Sequence, residues 1–219
     1  MMTLTTIAVG GFASNTGKTS LMCELLRALD PGGWEAIKVT RGHYRSCGKD
    51  PHTCCVSHLL GAEPVIRSGR AATYAPGKDT GRYWDAGAAN VHWAIVTDRQ
   101  VEAGIKQALG RVATGKVIIE GTSFTEFIKT DFLILTTRAT GGKMKPSARR
   151  ALARAGAIYL FDEGASPIQA REQFAAWYRQ RAPADAGLLE RIPAYTPDEL
   201  SQLIARVRAA CGEASAAAA

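Results

Sequence analysis

The stretch Gly11-Phe12-Ala13-Ser14-Asn15-Thr16-Gly17-Lys18-Thr19-Ser20 lies between an apolar run, Ile7-Ala8-Val9, and a segment with Leu21, Leu25 and Leu29 at helical spacing. A strand, a loop ending in Gly-Lys-Thr, and then a helix form the context that cradles a phosphate chain. The first N–H groups of such a helix have no partner within it and carry partial positive charge, so they attract an anion. Gly11, Ser14, Asn15, Thr16, Gly17, Lys18, Thr19 and Ser20 are therefore the expected phosphate-binding set. Lys18 would reach the terminal phosphates, and the Thr19 hydroxyl would ligate Mg²⁺. The expected ligand is a Mg²⁺–nucleoside triphosphate, ATP or GTP. The commoner spacing leaves four residues between its first glycine and Gly-Lys, a place taken here by Phe12; Gly11 stands one residue further back.

A chain of 219 residues with 46% hydrophobic content can bury a core of its own. No apolar run approaches the roughly 20 residues of a membrane span. The start, Met1-Met2-Thr3-Leu4-Thr5, lacks a basic region followed by a long apolar core, so no signal peptide is expected. The expected setting is cytoplasmic, without membrane contact, with the five cysteines reduced. A net charge of +7 invites a nucleic-acid reading. Against it, the basic residues are dispersed apart from Lys143, Lys145, Arg149, Arg150 and Arg154, and no aromatic-basic platform accompanies them. Triphosphate handling needs positive charge as well, and nucleic acid is not the expected partner.

Apolar runs and helical patterns alternate along the chain. Strands are predicted at Ile7 to Gly11, Trp34 to Thr40, Ala88 to Thr97, Lys116 to Glu120, Phe132 to Thr136 and Ala157 to Phe161, with an extended piece at Pro64 to Arg67. Helices are predicted at Thr19 to Leu29, Val101 to Val112, Lys145 to Ala155, Ile168 to Arg181 and Pro197 to Ala210. A short one is expected within Thr53 to Leu60, and Gly77 to Asp85 reads as loop into helix. The alternation predicts an α/β fold: a three-layer parallel sheet covered on both faces, with ligands at the carboxyl ends of its strands. The expected organisation is a single domain over 1–212, with an insert at about 41–60 and a frayed tail at 213–219.

Val117-Ile118-Ile119-Glu120-Gly121 places an acid at the end of a buried strand, where Glu120 can contact Mg²⁺ or its water. A third stretch is Pro76-Gly77-Lys78-Asp79-Thr80-Gly81-Arg82-Tyr83-Trp84-Asp85-Ala86-Gly87-Ala88. Gly-Lys-Asp-Thr followed by a basic or aromatic run and Ala-Gly-Ala resembles the molybdopterin-guanine dinucleotide biosynthesis protein B (MobB) family. So do Ile37-Lys38, the pair Glu120-Gly121 and the long-spaced loop, which is also similar to those of dethiobiotin synthetase and deviant-Walker relatives. The likeness runs from about Ile7 to Gly121. It implies a P-loop containing nucleoside triphosphate hydrolase fold and a protein that binds guanine nucleotide and assists nucleotide attachment to molybdopterin. It also implies Gly17, Lys18 and Thr19 on phosphate and Mg²⁺, with Asp79 and Glu120 near the metal and γ-phosphate. Lys18, Glu120 and Asp79 are accordingly the candidate catalytic residues. The chain departs from the family after the second strand, where it has Arg41-Gly42-His43-Tyr44-Arg45, and after Gly121, where Thr122-Ser123-Phe124 follows.

Between His43 and His58 the chain gathers three of its five cysteines and three of its four histidines. Cys47, Cys54 and Cys55 with one of His43, His52 or His58 would make a four-ligand set for Zn²⁺ or an iron–sulfur cluster. Alternatively Cys55 packs inward from a helix, and the histidines contact substrate. Cys23 and Cys211 read as structural. Arg138 and the run Lys143 to Arg150 follow a strand on the site edge and suit a phosphorylated substrate or closure over the triphosphate, or else form a solvated face. Three functions fit: a MobB-like nucleotide-hydrolysing protein of cofactor or metal-centre biosynthesis; an ATP-dependent small-molecule kinase or synthetase; and a nucleotide-switched metal-binding adaptor. The acceptor, a small molecule or a protein, and the oligomeric state are not legible; a homodimer is one candidate assembly.

Overall fold

The computed structural model describes residues 4–30, 33–42, 56–161, 164 and 166–212. Among these, the strands are β1 (Thr5–Gly11), β2 (Glu35–Arg41), β3 (Val65–Ser68), β4 (Val91–Val96), β5 (Lys116–Glu120), β6 (Phe132–Thr137), β7 (Ala157–Leu160) and β8 (Ala194–Tyr195). The helices are α1 (Lys18–Ala28), α2 (Arg70–Thr73), α3 (Asp79–Asp85), α4 (Val101–Leu109), α5 (Pro146–Leu152), α6 (Pro167–Arg181), α7 (Ala186–Leu189) and α8 (Leu200–Ala210). One sheet runs in the order β3-β4-β2-β5-β1-β6-β7-β8. The sheet is parallel as expected, with one antiparallel pairing, β3 with β4, at its edge. An edge strand needs only one partner, and β3, half-buried throughout, can satisfy β4 in either direction.

The alternation of side chains along β1 assigns the two outer layers. Ile7 and Val9, with Ile118 of β5 and Ile134 of β6, pack beneath α1, α3 and α8. Ala8, with Ile37, Ile119, Leu133 and Leu135, faces the opposite layer of α4, α5 and α6. Helix α1 forms because Leu21, Met22, Leu25 and Leu26 bring a buried stripe onto β1 and β5. Each such side chain contributes about 1.5–3 kcal/mol when fully buried. The helix stops where Leu29 turns extended, ahead of Pro31-Gly32.

The amino-terminal ends of β2 and β4 hold a closed polar cluster. Glu35 and His92 are 0% and 1% exposed. The backbone N–H groups of Ala113 and Thr114 donate to Glu35 Oε1 at 2.6 and 2.8 Å. His92 Nε2 donates to Glu35 Oε2 at 2.7 Å, since an ionised carboxylate can only accept. His92 Nδ1 meets Ser68 Oγ at 2.8 Å, the residue opposite it in the β3–β4 register. Burial works against the Glu35 carboxylate, yet the Thr114 N–H, His92 and the Ala113 N–H outweigh it and hold its pKa below the ordinary range.

Candidate functional site

The loop between β1 and α1 opens onto a cavity of about 670 Å³ at the carboxyl ends of β1, β2, β5 and β6. Gly11, Ser14, Asn15, Thr16, Gly17, Lys18, Thr19 and Ser20 all line it. The loop is tied on several sides. Gly11 N–H donates to Thr122 Oγ1 at 2.9 Å, and Phe12 N–H to the Thr136 carbonyl at 2.9 Å. Thr16 Oγ1 shares a 2.8 Å hydrogen bond with Thr136 Oγ1. Gly17, which starts α1, has φ 78°, and a Cβ there would meet the Phe161 ring at 2.2 Å, so only glycine fits.

The shifted first glycine has a structural reason. Phe12 is 1% exposed and turns away from the cavity, against Phe174 and Trp177 of α6 at ring centroid distances of 5.8 and 6.2 Å. A Cβ at Gly11 would instead meet Thr16 Oγ1 at 2.6 Å and the Lys18 chain at 2.9 Å. The glycine therefore stands where the lysine stem crosses the loop, and the adjacent position is spent on an aromatic anchor.

Strand register builds the charged row beside the loop. Glu120 on β5 is opposite both Val9 of β1 and Lys38 of β2, which puts both charged side chains on the α1–α3 face. Lys38 Nζ donates to Asp79 Oδ2 at 2.6 Å and forms a very short ion pair with Glu120. Thr19 Oγ1 donates to Glu120 Oε2 at 2.9 Å. Tyr83 on α3, fully buried, donates its phenol to the same oxygen. Asp79 opens α3, and Arg82 one turn later reaches Ser20 Oγ at 3.3 Å.

Electrostatics follow from this packing. Burial lowers the Lys18 pKa, opposed by Glu120 and reinforced by Lys38 and Lys145. Burial also works against the Lys38 ammonium, but Glu120 and Asp79 outweigh it and raise its pKa above that of an ordinary lysine. Asp79 is held low: Lys38, the Thr19 hydroxyl and Arg82 overcome the cost of burial. Burial and the Glu120 charge push the Tyr83 phenol well above its usual value, so it stays a donor.

Thr19, Glu120 and Asp79 present hydroxyl and carboxylate oxygens, the donor type Mg²⁺ takes when phosphate and water complete its shell. Among the described residues no group of three or more His, Cys, Asp or Glu forms a metal cage. The candidate ligands Cys47, Cys54, Cys55 and His43, and also His52, lie outside the described residues. Cys23 is buried on α1.

Tyr83 was given no role from sequence, Lys38 entered only through the pair Ile37-Lys38, and Lys145 only as one of the basic run Lys143 to Arg150. Lys38 lies inside an apolar strand, and a charge in a buried strand near a predicted ligand end was the available signal. Tyr83 sat within the aromatic run after Asp79, with nothing local to show that it points at Glu120. Among the described residues no helix is long and apolar enough to cross a membrane.

No protein-family model and no curated protein matches the chain. Among solved structures, HypB from Helicobacter pylori in complex with nickel is similar over 99% of this chain and 92% of its own, with TM-score 0.51 and 11% identity. An ATP complex of McdA from Cyanothece aligns over the whole of both chains with TM-score 0.46 and 11% identity. LpxK from Aquifex aeolicus with ATP covers 72% of this chain and 48% of its own, with TM-score 0.41 and 20% identity. The likeness to HypB is one of fold. With the strand–loop–helix geometry and sheet order above, it establishes that this chain has the P-loop nucleoside triphosphate hydrolase fold.

Proposed function

We propose that the chain binds a Mg²⁺–nucleoside triphosphate in the cavity above β1 and breaks its terminal phosphoanhydride bond, in the service of cofactor or metal-centre biosynthesis as in the MobB family. The observation that carries this reading is the row Lys18, Thr19, Glu120 in one cavity, with Thr19 Oγ1 2.9 Å from the carboxylate. In this reading the loop N–H groups and Lys18 hold the phosphates, and Thr19 and Glu120 face the Mg²⁺ side. When bound, Mg²⁺ would supply charge neutralisation to the triphosphate. Asp79 and Glu120, bridged by Lys38, would orient water on the metal side. The HypB structure is a nickel complex, and a metal cargo here would belong to Cys47, Cys54, Cys55 and His43, in a cytoplasmic setting.

A second reading, an ATP-dependent kinase or synthetase, is favoured by the cavity's extent. It continues past the loop along Val39 to Arg41 and Thr122 to Ser123, which leaves room beside the phosphates for an acceptor. Titration of Mg²⁺–ATP and Mg²⁺–GTP into the protein tests the common core. Lys18→Ala is expected to weaken binding by about 1.5–3 kcal/mol, the worth of a charge-assisted hydrogen bond. Unchanged affinity in that variant would remove the nucleotide reading. Turnover measured with and without candidate acceptors then separates hydrolysis from transfer.

A further inference from the structure

The basic run after β6 divides in two. Arg149 and Arg150 turn outward into ion pairs with Asp185 at 2.8 Å and Glu126 at 2.7 Å. Lys145 turns the other way, onto the cavity wall. Its Nζ is 3.4 Å from Ser14 Oγ of the phosphate loop, and its own backbone N–H donates to the Phe12 carbonyl at 2.8 Å. It caps α5, whose Ala148, Ala151 and Leu152 are fully buried. The backbone of Lys145 is thus fastened to the core and to the loop at once, while its ammonium faces the cavity.

The charges around it are of one sign. Arg41 on β2, Lys143 beside it and Lys38 across the cavity face Lys145, and burial together with these cations lowers its pKa. Lys38 is neutralised by Asp79 and Glu120, and Arg41 by Asp98 at 3.1 Å. Lys145 has no carboxylate partner among the described residues. A half-buried ammonium among like charges is costly until an anion arrives. An anion cradled by the loop would lie beside Ser14, whose hydroxyl is 3.4 Å from the Lys145 ammonium.

We propose that Lys145 is a catalytic cation supplied in cis, closing over the reacting phosphoryl group from the Ser14 side of the loop. This rests on the nucleotide reading above. In hydrolysis the bond from the γ-phosphorus to the β–γ bridging oxygen breaks, and its electron pair stays on the nucleoside diphosphate. A bond forms from the phosphorus to the oxygen of the attacking water, whose proton passes to solvent. Charge grows on the bridging and equatorial oxygens, where a fixed ammonium is worth more in the transition state than in the ground state. With that cation built into the chain, no partner molecule needs to supply one.

The test compares the full chain with Lys145→Met and Lys145→Arg, measuring Mg²⁺–nucleotide affinity, kcat, and capture of aluminium fluoride with Mg²⁺–nucleoside diphosphate. Lys145→Met should lower kcat by about 10²–10³-fold and lose the fluoride complex, with ground-state affinity changed only a few-fold. Lys145→Arg should recover part of both. Turnover per chain should be independent of protein concentration. The proposal is overturned if Lys145→Met keeps kcat and fluoride capture, if its loss appears equally in ground-state affinity, or if turnover per chain rises with concentration. Loss of nucleotide affinity in Lys18→Ala, with turnover intact in Lys145→Met, would leave the nucleotide reading standing and sink this proposal alone. A wild-type chain that binds no nucleotide would sink both.

Discussion

Strand β2 carries two charged clusters, one at its amino-terminal end and one at its middle, and they are built on opposite plans. At its amino-terminal end Glu35 is sealed from water, and each of its carboxylate oxygens has short partners in Ala113, Thr114 and His92. Three residues along, Lys38 joins Glu120 and Asp79, but Asp79 remains 43% exposed and the cavity beyond holds Lys18 and Lys145. The first cluster is complete within the chain and serves the junction of β2, β4 and the turn before β5. The second holds cations and oxygen donors arranged around open space. A polar cluster that is satisfied rigidifies; one left partly unsatisfied is where a ligand completes the set.

The sharpest way to break this contrast is Glu35→Ala. It takes the carboxylate from the Ala113 and Thr114 N–H groups and from buried His92, and the expected loss is about 3–5 kcal/mol of folding stability, read from the urea midpoint. Nucleotide affinity of the folded fraction should not move. Glu35 also gives a pH signature. Its folded pKa lies below the unfolded value, so its contribution is complete above the ordinary glutamate range near about 4.3. That contribution is lost as pH falls through the folded value. Urea midpoints of the wild type should therefore fall more steeply in acid than those of Glu35→Gln. Parallel slopes would refute the ionised pairing.

Lys38→Met probes the open cluster with a smaller effect. It leaves Glu120 and Asp79 facing each other, at a cost of about 1–2 kcal/mol because Asp79 is half-exposed and partly screened. Millimolar Mg²⁺ should restore much of that in the variant and little in the wild type, measured as a shift in Tm. A variant insensitive to Mg²⁺ would show that these carboxylates do not face a cation site. Smallest of all, Arg149→Ala, which removes a solvent-facing pair with Asp185, should change stability by less than about 0.5 kcal/mol and leave nucleotide binding alone.

The sheet was legible where pattern is local. Ile7-Ala8-Val9, Val117-Ile118-Ile119 and Phe132 to Thr136 are charge-free runs, and each became a central strand. The short pieces escaped. Arg70–Thr73, Ala186–Leu189 and the pair Ala194–Tyr195 are too brief for any period to show. The direction of β3 was equally hidden, because alternation along Val65–Ser68 is the same whichever way the strand runs. At the site, the residues from Gly11 to Ser20 and Glu120 could be named because a loop motif and a strand end announce themselves. Lys145 was visible only as one of a basic run and Lys38 only as part of a pair, and Tyr83 not at all, because their meeting with Glu120 and Ser14 depends on register and on the crossing of α3 and α5. Glu35 and His92 likewise looked like ordinary strand residues. Their partnership joins positions 57 apart in sequence.

The phenylalanine beneath the phosphate loop bears on how quickly a ligand can be held. With Phe12 seated among Phe174 and Trp177, and the loop backbone bonded to Thr122, Thr136 and Lys145, the conformational freedom of this segment is surrendered when the chain folds. An arriving phosphate does not have to order it, so the entropy of ordering is not charged against affinity. Capture can then run at the pace of diffusional encounter under the pull of the surrounding cations. Trimming the ring, as in Phe12→Ala, would transfer that ordering to the binding event and slow association ahead of any change at the phosphate contacts.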